Sequence, residues 1–532
     1  MESINNIGHE NSFQAALLAS ADRIEKKGNV GGDSAAKHVI EIIDGDDKTI
    51  LFQDELGEPF VRLNVNDHNE IWSCKSKQFR RWISNAFWKK YNKPPAPDAL
   101  RSALNIIEAR ACFECKKFRL FNRVAVFEDA IWYDLADKDW RAVKITASGW
   151  EIVADPPILF RRYRHQDAQC TPVSDGDMKA ILKHVNITDQ RHQLLFMVYI
   201  ISCFIPGFPH PVPNIYGRPG SAKSAMSKLL KKLIDPSQIE VVSLPTDLAQ
   251  LAQTVAHHWF LCFDNISYMS EATSDMLCKV VTGSGFSKRE LYSDDEDIIY
   301  SIKHCIALNG VNLPATKGDL LDRSILFELQ KVERREEKKL LQEFERDHPL
   351  ILGAIFDAVA GAMKIYPSLD ISNLPRMADF TLQGCAIAEA LGYPRDEFLE
   401  AYRANISTQN AAVLAEHIES SLLVDFMDGQ ESGEWVGRYS ELLDKLKKLA
   451  LDQKINEKLL PKSPNALSRR LNVLKPNLEE AGISITSQSS GQRLVTIRKV
   501  TRNVAPTANI ATAIPEFDQA VGDVDEYTTG SA

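Results

Sequence analysis

Gly217-Arg-Pro-Gly-Ser-Ala-Lys-Ser224 is the most informative stretch of this sequence. It fits the phosphate-loop pattern G-x-x-x-x-G-K-[ST], except that Ala222 replaces the second glycine. An apolar run precedes it and an amphipathic segment follows it, so the pattern predicts a strand, a loop of exposed N–H groups and a helix. The candidate phosphate-binding residues are Gly217, Pro219, Gly220, Ser221, Ala222, Lys223 and Ser224.

Two of these residues have side chains suited to a nucleotide. The ammonium of Lys223 can neutralise β- and γ-phosphate charge, and the hydroxyl of Ser224 can reach Mg²⁺. Alanine at 222 requires either a negative φ or a mildly strained backbone, because it lacks the freedom of glycine. The alternative interpretation is an ordinary glycine-rich turn before a helix, and the residues downstream argue against it.

A second apolar strand, predicted at residues 258–264, ends in a carboxylate. Asp264 at a strand end has the position that a Mg²⁺ ligand requires, although such strands are common. Asn265 follows, where many ATPases of this type have an acidic base, and an amide can orient water but cannot accept its proton. Glu271 and Asp275 are nearby candidates for the hydrolytic base, whose identity the sequence leaves open.

Two further polar residues flank later strands. Asn309 ends a strand predicted at 304–309 and could position the attacking water beside a γ-phosphate; the alternative is a turn-forming Asn before a glycine. Arg323 directly precedes a strand predicted at 324–329 and could reach the nucleotide of a neighbouring subunit as an arginine finger. The alternative for Arg323 is a surface salt bridge with Asp322.

Short apolar runs at 210–216, 239–244, 258–264, 304–309 and 324–329 predict strands, and helical segments separate most of them. This alternation predicts an α/β fold with a parallel sheet. The predicted divisions are a flexible lead-in (1–37), an N-terminal α+β domain (38–174), an ATPase core (175–332), a helical extension (333–427), a basic winged-helix-like domain (434–500) and a disordered tail (501–532).

Lys223, Asp264, Asn309 and Arg323, in this order, resemble the superfamily 3 helicases, the P-loop AAA+ branch found in phages, plasmids and satellites. The helicase half of mobile-element primase-helicases is the nearest resemblance; it covers roughly residues 40–500, but only the ATPase motifs are specific. The resemblance implies ATP and Mg²⁺ as cofactors and homohexameric rings that move on DNA, with a single strand in the pore. Ala222 and Asn265 depart from the pattern, which puts the rate of turnover in question.

The resemblance also implies a pore hairpin shortly before the strand at 304–309. Lys288 and Arg289 would hold backbone phosphates there, and Phe286 or Tyr292 could stack on bases. The alternative is a solvated loop. A second basic cluster, at residues 160–165, could bind nucleic acid or could simply hold acidic neighbours.

Residues 438–500 are strongly basic: 13 Lys and Arg against 6 Asp and Glu give a net +7 in a chain of net charge −9. Two helices followed by a hairpin with its turn at 489–491 predict a winged-helix module, with Ser463 as N-cap of the recognition helix and Pro464 at its first turn. Arg469 and Arg470 would lie on or near its duplex-DNA face. The alternative is a winged helix used for protein contacts.

Composition limits the classes of protein to which this chain can belong. Hydrophobic residues make up 44% of the chain, which is ordinary for a globular protein. No apolar run of about 18 residues and no N-terminal signal core are found, so we expect no membrane span and a cytoplasmic location. Cys112 and Cys115 form a single C-x-x-C without a second pair, which favours reduced thiols over a metal or redox site.

The sequence therefore predicts an ATP-dependent DNA helicase or translocase that acts in replication of a mobile element as a homohexameric ring. Two rival hypotheses remain. One is an AAA+ ATPase that loads, remodels or defends without unwinding DNA. The other is a DNA-binding regulator in which ATP only drives assembly, and Asn265 is the residue that keeps this possibility open.

Overall fold

The computed structural model describes residues 35–283, 286–289, 297–300, 303–315, 317–331, 337–487 and 494–500. The chain divides into two compact units, Met1–Glu416 and His417–Ala532. The predicted lead-in up to residue 34 and the predicted tail from residue 501 lie outside the described residues. The second unit begins with a helix that the sequence analysis had assigned to the helical extension.

The N-terminal part of the first unit is α+β. Its helices are α1 (Ala35–Asp44), α2 (Lys77–Tyr91) and α3 (Pro97–Phe113), and they share a core with the antiparallel strands β1 (Ile50–Gln53), β2 (Pro59–Val65) and β3 (His68–Ser73). A second antiparallel sheet contains β5 (Val124–Phe127), β6 (Ala130–Asp134), β7 (Ala142–Thr146) and β8 (Gly149–Val153), while β4 (Leu120–Phe121) pairs with β9 (Leu159–Phe160).

A parallel sheet follows, as the alternating pattern predicted. Its strands are β10 (Val212–Tyr216), β11 (Phe260–Phe263), β14 (Cys305–Gly310) and β15 (Ser324–Glu328), in the order β11-β14-β10-β15. The strand predicted at 239–244 is reduced to one parallel bridge, between Val242 and Phe263, beside β11. The order therefore places the first strand in chain order between the last two, which is the arrangement that leaves a crevice at the carboxyl edge.

Helices surround this sheet. They are α4 (Gln190–Ser202), α5 (Lys223–Ile234), α6 (Leu248–Ala256), α7 (Glu271–Thr282), α8 (Gly318–Leu321), α9 (Glu337–Ile365), α10 (Ala378–Ala390) and α11 (Arg395–Glu416). Helix α4 is buried from Leu194 to its end, because its apolar residues occupy every side of the helix. A short antiparallel pair, β12 (Phe286–Arg289) and β13 (Asp297–Tyr300), lies between α7 and β14 in the chain.

The stretch Lys338–Ser368, which contains most of α9, is long and apolar enough to cross a membrane by length and composition alone. More than half of its most apolar window, 56%, is buried inside the protein. That burial is typical of the core helix of a soluble protein, so the stretch is weak evidence for a membrane span.

The second unit has its own core of helices and strands. Its elements are α12 (Ile418–Asp428), β16 (Glu434–Gly437), α13 (Tyr439–Asp452), α14 (Pro464–Val473), α15 (Lys475–Glu480), β17 (Ile483–Ser487) and β18 (Val495–Lys499). The three strands form an antiparallel sheet in the order β16-β18-β17. Leucines on α13 and α14, including Leu446 and Leu467, are fully buried. The predicted helices and hairpin strands are thus present, and the turn predicted at 489–491 lies outside the described residues.

Candidate functional site

The loop between β10 and α5 has an unusual backbone. Gly217 has φ +145°, and a Cβ there would come within 2.3 Å of the carbonyl oxygen of Leu329. Gly220 has φ +85°. Ala222 has φ +64° and ψ +25°, in the left-handed region. Of the two alternatives left by the sequence, the structure has the strained one, which costs on the order of 1–2 kcal/mol for a residue with a Cβ.

The first turn of α5 carries no side-chain cap. The N-cap residue is Ala222, whose methyl group cannot accept a hydrogen bond. Helices α2, α6 and α7 instead begin with Ser76, Asp247 and Ser270, whose side chains each accept from a first-turn amide. The first-turn amides of α5 therefore have no side-chain acceptor, which is one condition for binding an anion at a helix N-terminus.

Lys223 lies at the start of α5 with its ammonium inside the loop. Its Nζ donates to the carbonyl oxygen of Gly217 (2.8 Å) and, more weakly, to that of Arg218 (3.2 Å) and to Ser221 Oγ (3.4 Å). Partial burial lowers the pKa of Lys223, and the negative charge of Asp264 opposes that effect. The cation thus lies against the carbonyl oxygens of the loop whose N–H groups would surround a phosphate.

Ser224 and Asp264, the two residues predicted to hold a metal, lie next to each other. Ser224 Oγ donates to Asp264 Oδ1 over 3.2 Å, although 40 residues separate them in the chain. The same carboxylate oxygen accepts the backbone N–H of Asn265 (3.0 Å), and Asp264 directly follows β11. A hydroxyl and a carboxylate oxygen are the ligand types that Mg²⁺ prefers.

The residues considered for the hydrolytic base are on the surface. Asn265 is exposed and has φ +56°. Glu271 begins α7 and pairs with Lys317 over 3.1 Å, with 75% of its side chain exposed. Asp275 is exposed on the same helix. Glu271 and Asp275 stay predicted candidates for the hydrolytic base.

Asn309 lies near the carboxyl end of β14 and is almost fully buried. Its Nδ2 donates to Ser227 Oγ over 3.2 Å, and Ser227 lies on α5 one turn beyond Lys223. Its carbonyl oxygen accepts from the backbone of Ile266 (2.8 Å), in the segment after Asp264. Asn309 therefore connects β14 to the helix that follows the loop, and its proposed role beside a γ-phosphate stays a prediction.

Arg323 lies at the amino ends of the parallel strands, opposite the carboxyl ends where Asp264 and Asn309 lie. The backbone N–H of Val212, the first residue of β10, donates to the carbonyl oxygen of Arg323 (2.7 Å), whereas the phosphate loop follows the last residue of β10. Five residues of strand at about 3.3 Å each put about 16 Å between the two edges. The register thus keeps Arg323 away from the glycine-rich loop of its own chain.

The partner of Arg323 is not the one that the sequence suggested. Its Nη1 pairs with Asp319 Oδ1 over 2.5 Å, one helical turn earlier, so the alternative of a salt bridge with Asp322 is wrong. Arg376, which the sequence analysis did not single out, contacts both Asp319 (2.5 Å) and Asp322. Burial tends to raise the pKa of Asp319, but the hydrogen bond and charge of Arg323 together with Arg376 hold it below its ordinary value.

The four predicted DNA-contacting residues fall into three situations. Lys288 and Arg289 lie on β12, paired with β13, and their side chains are outside the described residues. Arg469 is exposed on α14, where its Nε donates weakly to the carbonyl oxygen of Asn465. Arg470 is half-exposed and pairs over 3.3 Å with the buried carboxylate of Glu419. Arg470 is therefore partly a structural residue of the second unit.

The basic cluster at 160–165 is held largely by the protein itself. Arg162 pairs with Asp134 over 2.6 Å and stacks on Trp140, and Arg161 lies 3.9 Å from Asp54. These contacts favour the alternative in which the cluster holds acidic neighbours.

Cys112 and Cys115 are free thiols, and the described residues contain no cluster of three or more His, Cys, Asp or Glu that could hold a metal.

A buried ionic cluster at the other end of α5 escaped the sequence analysis. Arg123 and Lys231 pair with the two carboxylate oxygens of Asp235 over 2.9 and 2.7 Å, and all three side chains are at most 1% exposed. Burial, together with the neighbouring charge of Lys231, lowers the pKa of His258 to about 2, so His258 is neutral and its Nδ1 accepts from Lys231 (3.0 Å). The only signal in the sequence was a run of charges at a helix end.

Comparison with known proteins extends these observations. Residues 178–411 match the model of a family described as the actinomycete integrative conjugative element replication protein, and residues 420–512 match that of the AICE RepA C-terminal domain. These matches identify the chain as a replication protein of a mobile element. The first match contains the predicted phosphate loop, Asp264, Asn309 and Arg323, and the second contains Arg469 and Arg470.

Solved structures and curated proteins add little. An A-form apo structure of the NrS-1 C-terminal region is 11% identical, covers 88% of this chain and all of that one, and has a TM-score of 0.40. A second apo structure of that region is 10% identical, with the same coverage and TM-score. No curated protein matches the chain.

Proposed function

We propose that this replication protein is a Mg²⁺-dependent ATPase that moves along DNA as a ring of identical subunits, and that it belongs structurally to the P-loop AAA+ ATPases. The observation that carries the proposal is the hydrogen bond between Ser224 Oγ and Asp264 Oδ1 (3.2 Å). It joins the first turn after a glycine-rich loop to the carboxyl end of a neighbouring parallel strand, where a metal–phosphate complex needs its ligands.

The residues of the loop fit a nucleoside triphosphate. The amides at the start of α5 have no side-chain acceptor, and Lys223 places a positive charge in the loop that precedes them. Ser224 and Asp264 would hold Mg²⁺, which neutralises charge on the β- and γ-phosphate oxygens when it is bound. Two protein ligands are few, and such an ion takes its remaining ligands from phosphates and water.

A ring explains the position of Arg323. The residue lies about 16 Å from its own phosphate loop along the sheet, so it would serve the site of an adjacent subunit. There it would stabilise the charge that develops on the γ-phosphate, and Asn309 would orient the attacking water. Homohexamers are the state that the resemblance to superfamily 3 helicases implies.

The second unit supplies the proposed duplex contact. Its order of helix, strand, three helices and a pair of antiparallel strands, with the first strand beside the last, supports a winged helix. Helix α14 would face the major groove, and exposed Arg469 would contact the backbone or a base edge. The β12–β13 pair supports the hairpin proposed to hold a single strand in the pore.

A second candidate is an ATPase that loads or remodels replication proteins on DNA without unwinding it. The observation in its favour is Asn265, exposed and without a carboxylate at the position where a base would be expected. Slow hydrolysis suits a switch better than a motor.

The test is ATPase turnover measured beside strand displacement on a forked duplex, with Lys223→Ala and the control Lys228→Ala on the same helix. We expect ATP-dependent displacement by the wild type and the control, and none by Lys223→Ala. Hydrolysis without displacement, on forks of either polarity, would establish the loader instead. Equal ATPase rates in all three proteins would overturn the nucleotide site, and particle images with nucleotide and DNA would establish the ring size.

A further inference from the structure

The surface of α2 and its flanking residues carries side-chain charge of one sign. Residues 71–97 contain no Asp or Glu, in a protein with 72 acidic residues. The same stretch has seven basic residues, which are Lys75, Lys77, Arg80, Arg81, Lys89, Lys90 and Lys93. A local field of one sign on an acidic protein attracts polyanions.

These charges follow from how α2 packs. Phe79, Ile83 and Phe87 are at most 2% exposed and attach one face of the helix to the N-terminal core. At 3.6 residues per turn, Lys77, Arg81 and Trp88 lie within about 40° of one another on the opposite face. Gln78, Asn85 and Lys89 flank this line, and all six side chains are exposed. We call these six residues the α2 face.

The cations of the α2 face differ from others in the first unit. Arg62, Arg110, Arg162 and Arg191 each pair with a carboxylate within 3.0 Å. Of the seven basic residues near α2, Lys75 pairs with Glu58 over 2.8 Å, and no carboxylate of the described residues lies within 4.0 Å of the other six. Their charge is therefore available to a partner at no cost of breaking an existing pair.

Trp88 makes the surface more specific than charge alone. Trp88 is 51% exposed. In the chain it lies between the buried Phe87 and Lys89, which also belongs to the α2 face. A half-exposed Trp amid unpaired cations provides a flat ring for stacking and charges to hold the backbone on each side. Bases of a single strand can stack on such a ring, whereas a duplex hides its base faces.

We propose that the α2 face binds single-stranded DNA, with Trp88 stacking on a base and Lys77, Arg81 and Lys89 holding phosphates. This site is additional to the pore hairpin and to the C-terminal unit. It does not depend on ATP hydrolysis. It would retain one strand of an opened replication origin on the N-terminal part of each subunit.

The test compares two full-length triple variants that remove equal charge. Lys77→Ala/Arg81→Ala/Lys89→Ala changes the α2 face, and Lys138→Ala/Arg346→Ala/Lys364→Ala removes three exposed cations elsewhere in the first unit. Binding of labelled oligothymidine is measured by fluorescence anisotropy across a salt series. Loss of three phosphate contacts should lower the salt slope by about 2, at roughly 0.7 per contact on a single strand, and the control should keep the wild-type slope.

Trp88 is tested alone. Trp88→Ala should weaken oligothymidine binding by about 5- to 150-fold, the range for one stacked base, and Trp88→Phe should recover most of the loss. Equal loss in both triple variants, or wild-type affinity in Trp88→Ala, would overturn the proposal. So would a loss confined to duplex DNA, or a loss confined to vesicles of anionic phospholipid, which a basic helix could also bind.

The proposal and the ATPase assignment fail separately. Lys223→Ala should retain oligothymidine binding through the α2 face, and the α2 triple variant should retain ATP binding. A defect of both activities in either variant, with circular dichroism unchanged, would contradict the independence of the two sites.

Discussion

Lys223 and Lys231 stand at the two ends of the same helix, and burial lowers the pKa of both. Lys223 contacts backbone oxygens of the loop in a partly open site. Lys231 is 1% exposed and donates to Asp235, to His258 and to the carbonyl oxygen of Phe260. A shifted lysine pKa on this helix therefore marks a candidate ligand site at one end and a structural cluster at the other.

The difference lies in the partner. The buried carboxylate of Asp235 compensates the charge of Lys231, so the role of Lys231 is structural. Lys223 donates to neutral oxygens of the loop, two carbonyls and the hydroxyl of Ser221, and the carboxylate of Asp264 acts on it only through its charge. Its charge is therefore still available to an anion. The same contrast separates Arg469, which has no carboxylate partner among the described residues, from Arg470, which pairs with buried Glu419.

The largest expected effect concerns Arg323, which departs from this comparison: it pairs with Asp319 over 2.5 Å and would exchange that partner for the nucleotide of a neighbouring subunit. Arg323→Ala should leave ATP binding intact and reduce turnover by about 10³- to 10⁵-fold, the range for an arginine finger that acts in trans. The measurement is ATPase activity of the variant alone and mixed with Lys223→Ala. Mixed rings would contain sites with an intact loop and an intact neighbouring Arg323, so partial recovery is expected. No recovery, although both variants assemble, would count against action across an interface.

Lys231→Ala should be mainly a stability variant. Removing it leaves Asp235 buried with one partner fewer, which costs about 3–5 kcal/mol of unfolding free energy. Denaturant unfolding measures this, with the neighbouring surface variant Lys232→Ala as control, which should lose at most about 1 kcal/mol. If Lys231→Ala instead abolished ATP binding in a fully folded protein, the assignment of ATP binding to the Lys223 end of α5 and of stability to the Lys231 end would be wrong.

The same cluster predicts a direction with pH. Burial raises the pKa of Asp235, but Lys231 and Arg123 lower it more strongly, so its folded-state pKa lies below the ordinary value. A depressed carboxyl pKa contributes stability that is present above the unfolded pKa of about 4 and is lost as the pH falls below it. The loss of stability between pH 5 and pH 3 should therefore be smaller in Asp235→Asn than in the wild type, as measured by unfolding at each pH.

Lys223→Ala should have the opposite effect to Lys231→Ala: it should weaken ATP binding and leave the stability of the protein nearly unchanged. The variant loses charge-assisted hydrogen bonds to phosphate, each worth about 1.5–3 kcal/mol, so ATP affinity should fall by about 10- to 150-fold. Its thermal stability without nucleotide should stay close to that of the wild type. Binding of a fluorescent ATP analogue and thermal unfolding, done on the same samples, decide the matter, and unchanged affinity would contradict the assignment.

The smallest effect separates the two arginines of α14. Arg469→Ala should reduce the salt slope of duplex binding by about 0.9, one phosphate contact, and leave folding intact. Arg470→Ala should also destabilise the second unit, because it leaves Glu419 buried without that partner. A truncation of residues 434–532 that leaves duplex affinity and slope unchanged would favour protein contacts over DNA reading.

Local pattern was enough to predict the main architecture. The strands at 210–216, 258–264, 304–309 and 324–329 were predicted from short apolar runs, and each overlaps an observed strand. The run at 239–244 was a reasonable strand by composition, but it forms only the Val242 bridge at the sheet edge. Edge pairing depends on neighbours that a local pattern does not describe.

Long-range ion pairs were beyond the sequence. Arg376 reaches Asp319 and Asp322 across more than 50 residues, and Arg123 reaches Asp235 across 112. No spacing rule connects such residues, because only the tertiary fold brings them together. The pairing of Arg323 could have been found: Asp319 is four residues earlier, the distance of one helical turn, whereas Asp322 is its immediate neighbour.

The register of β10 and β15 also sets how this protein should respond to its own abundance. A chain whose phosphate loop and Arg323 stand at opposite edges of one sheet has half of each of two proposed catalytic sites and no complete one. Under the proposed trans arrangement, activity per chain would rise steeply with concentration and vanish on dilution. A mobile element that encodes such a protein would therefore begin replication only above a threshold of gene expression, and it would stay silent in a cell that makes only a few copies.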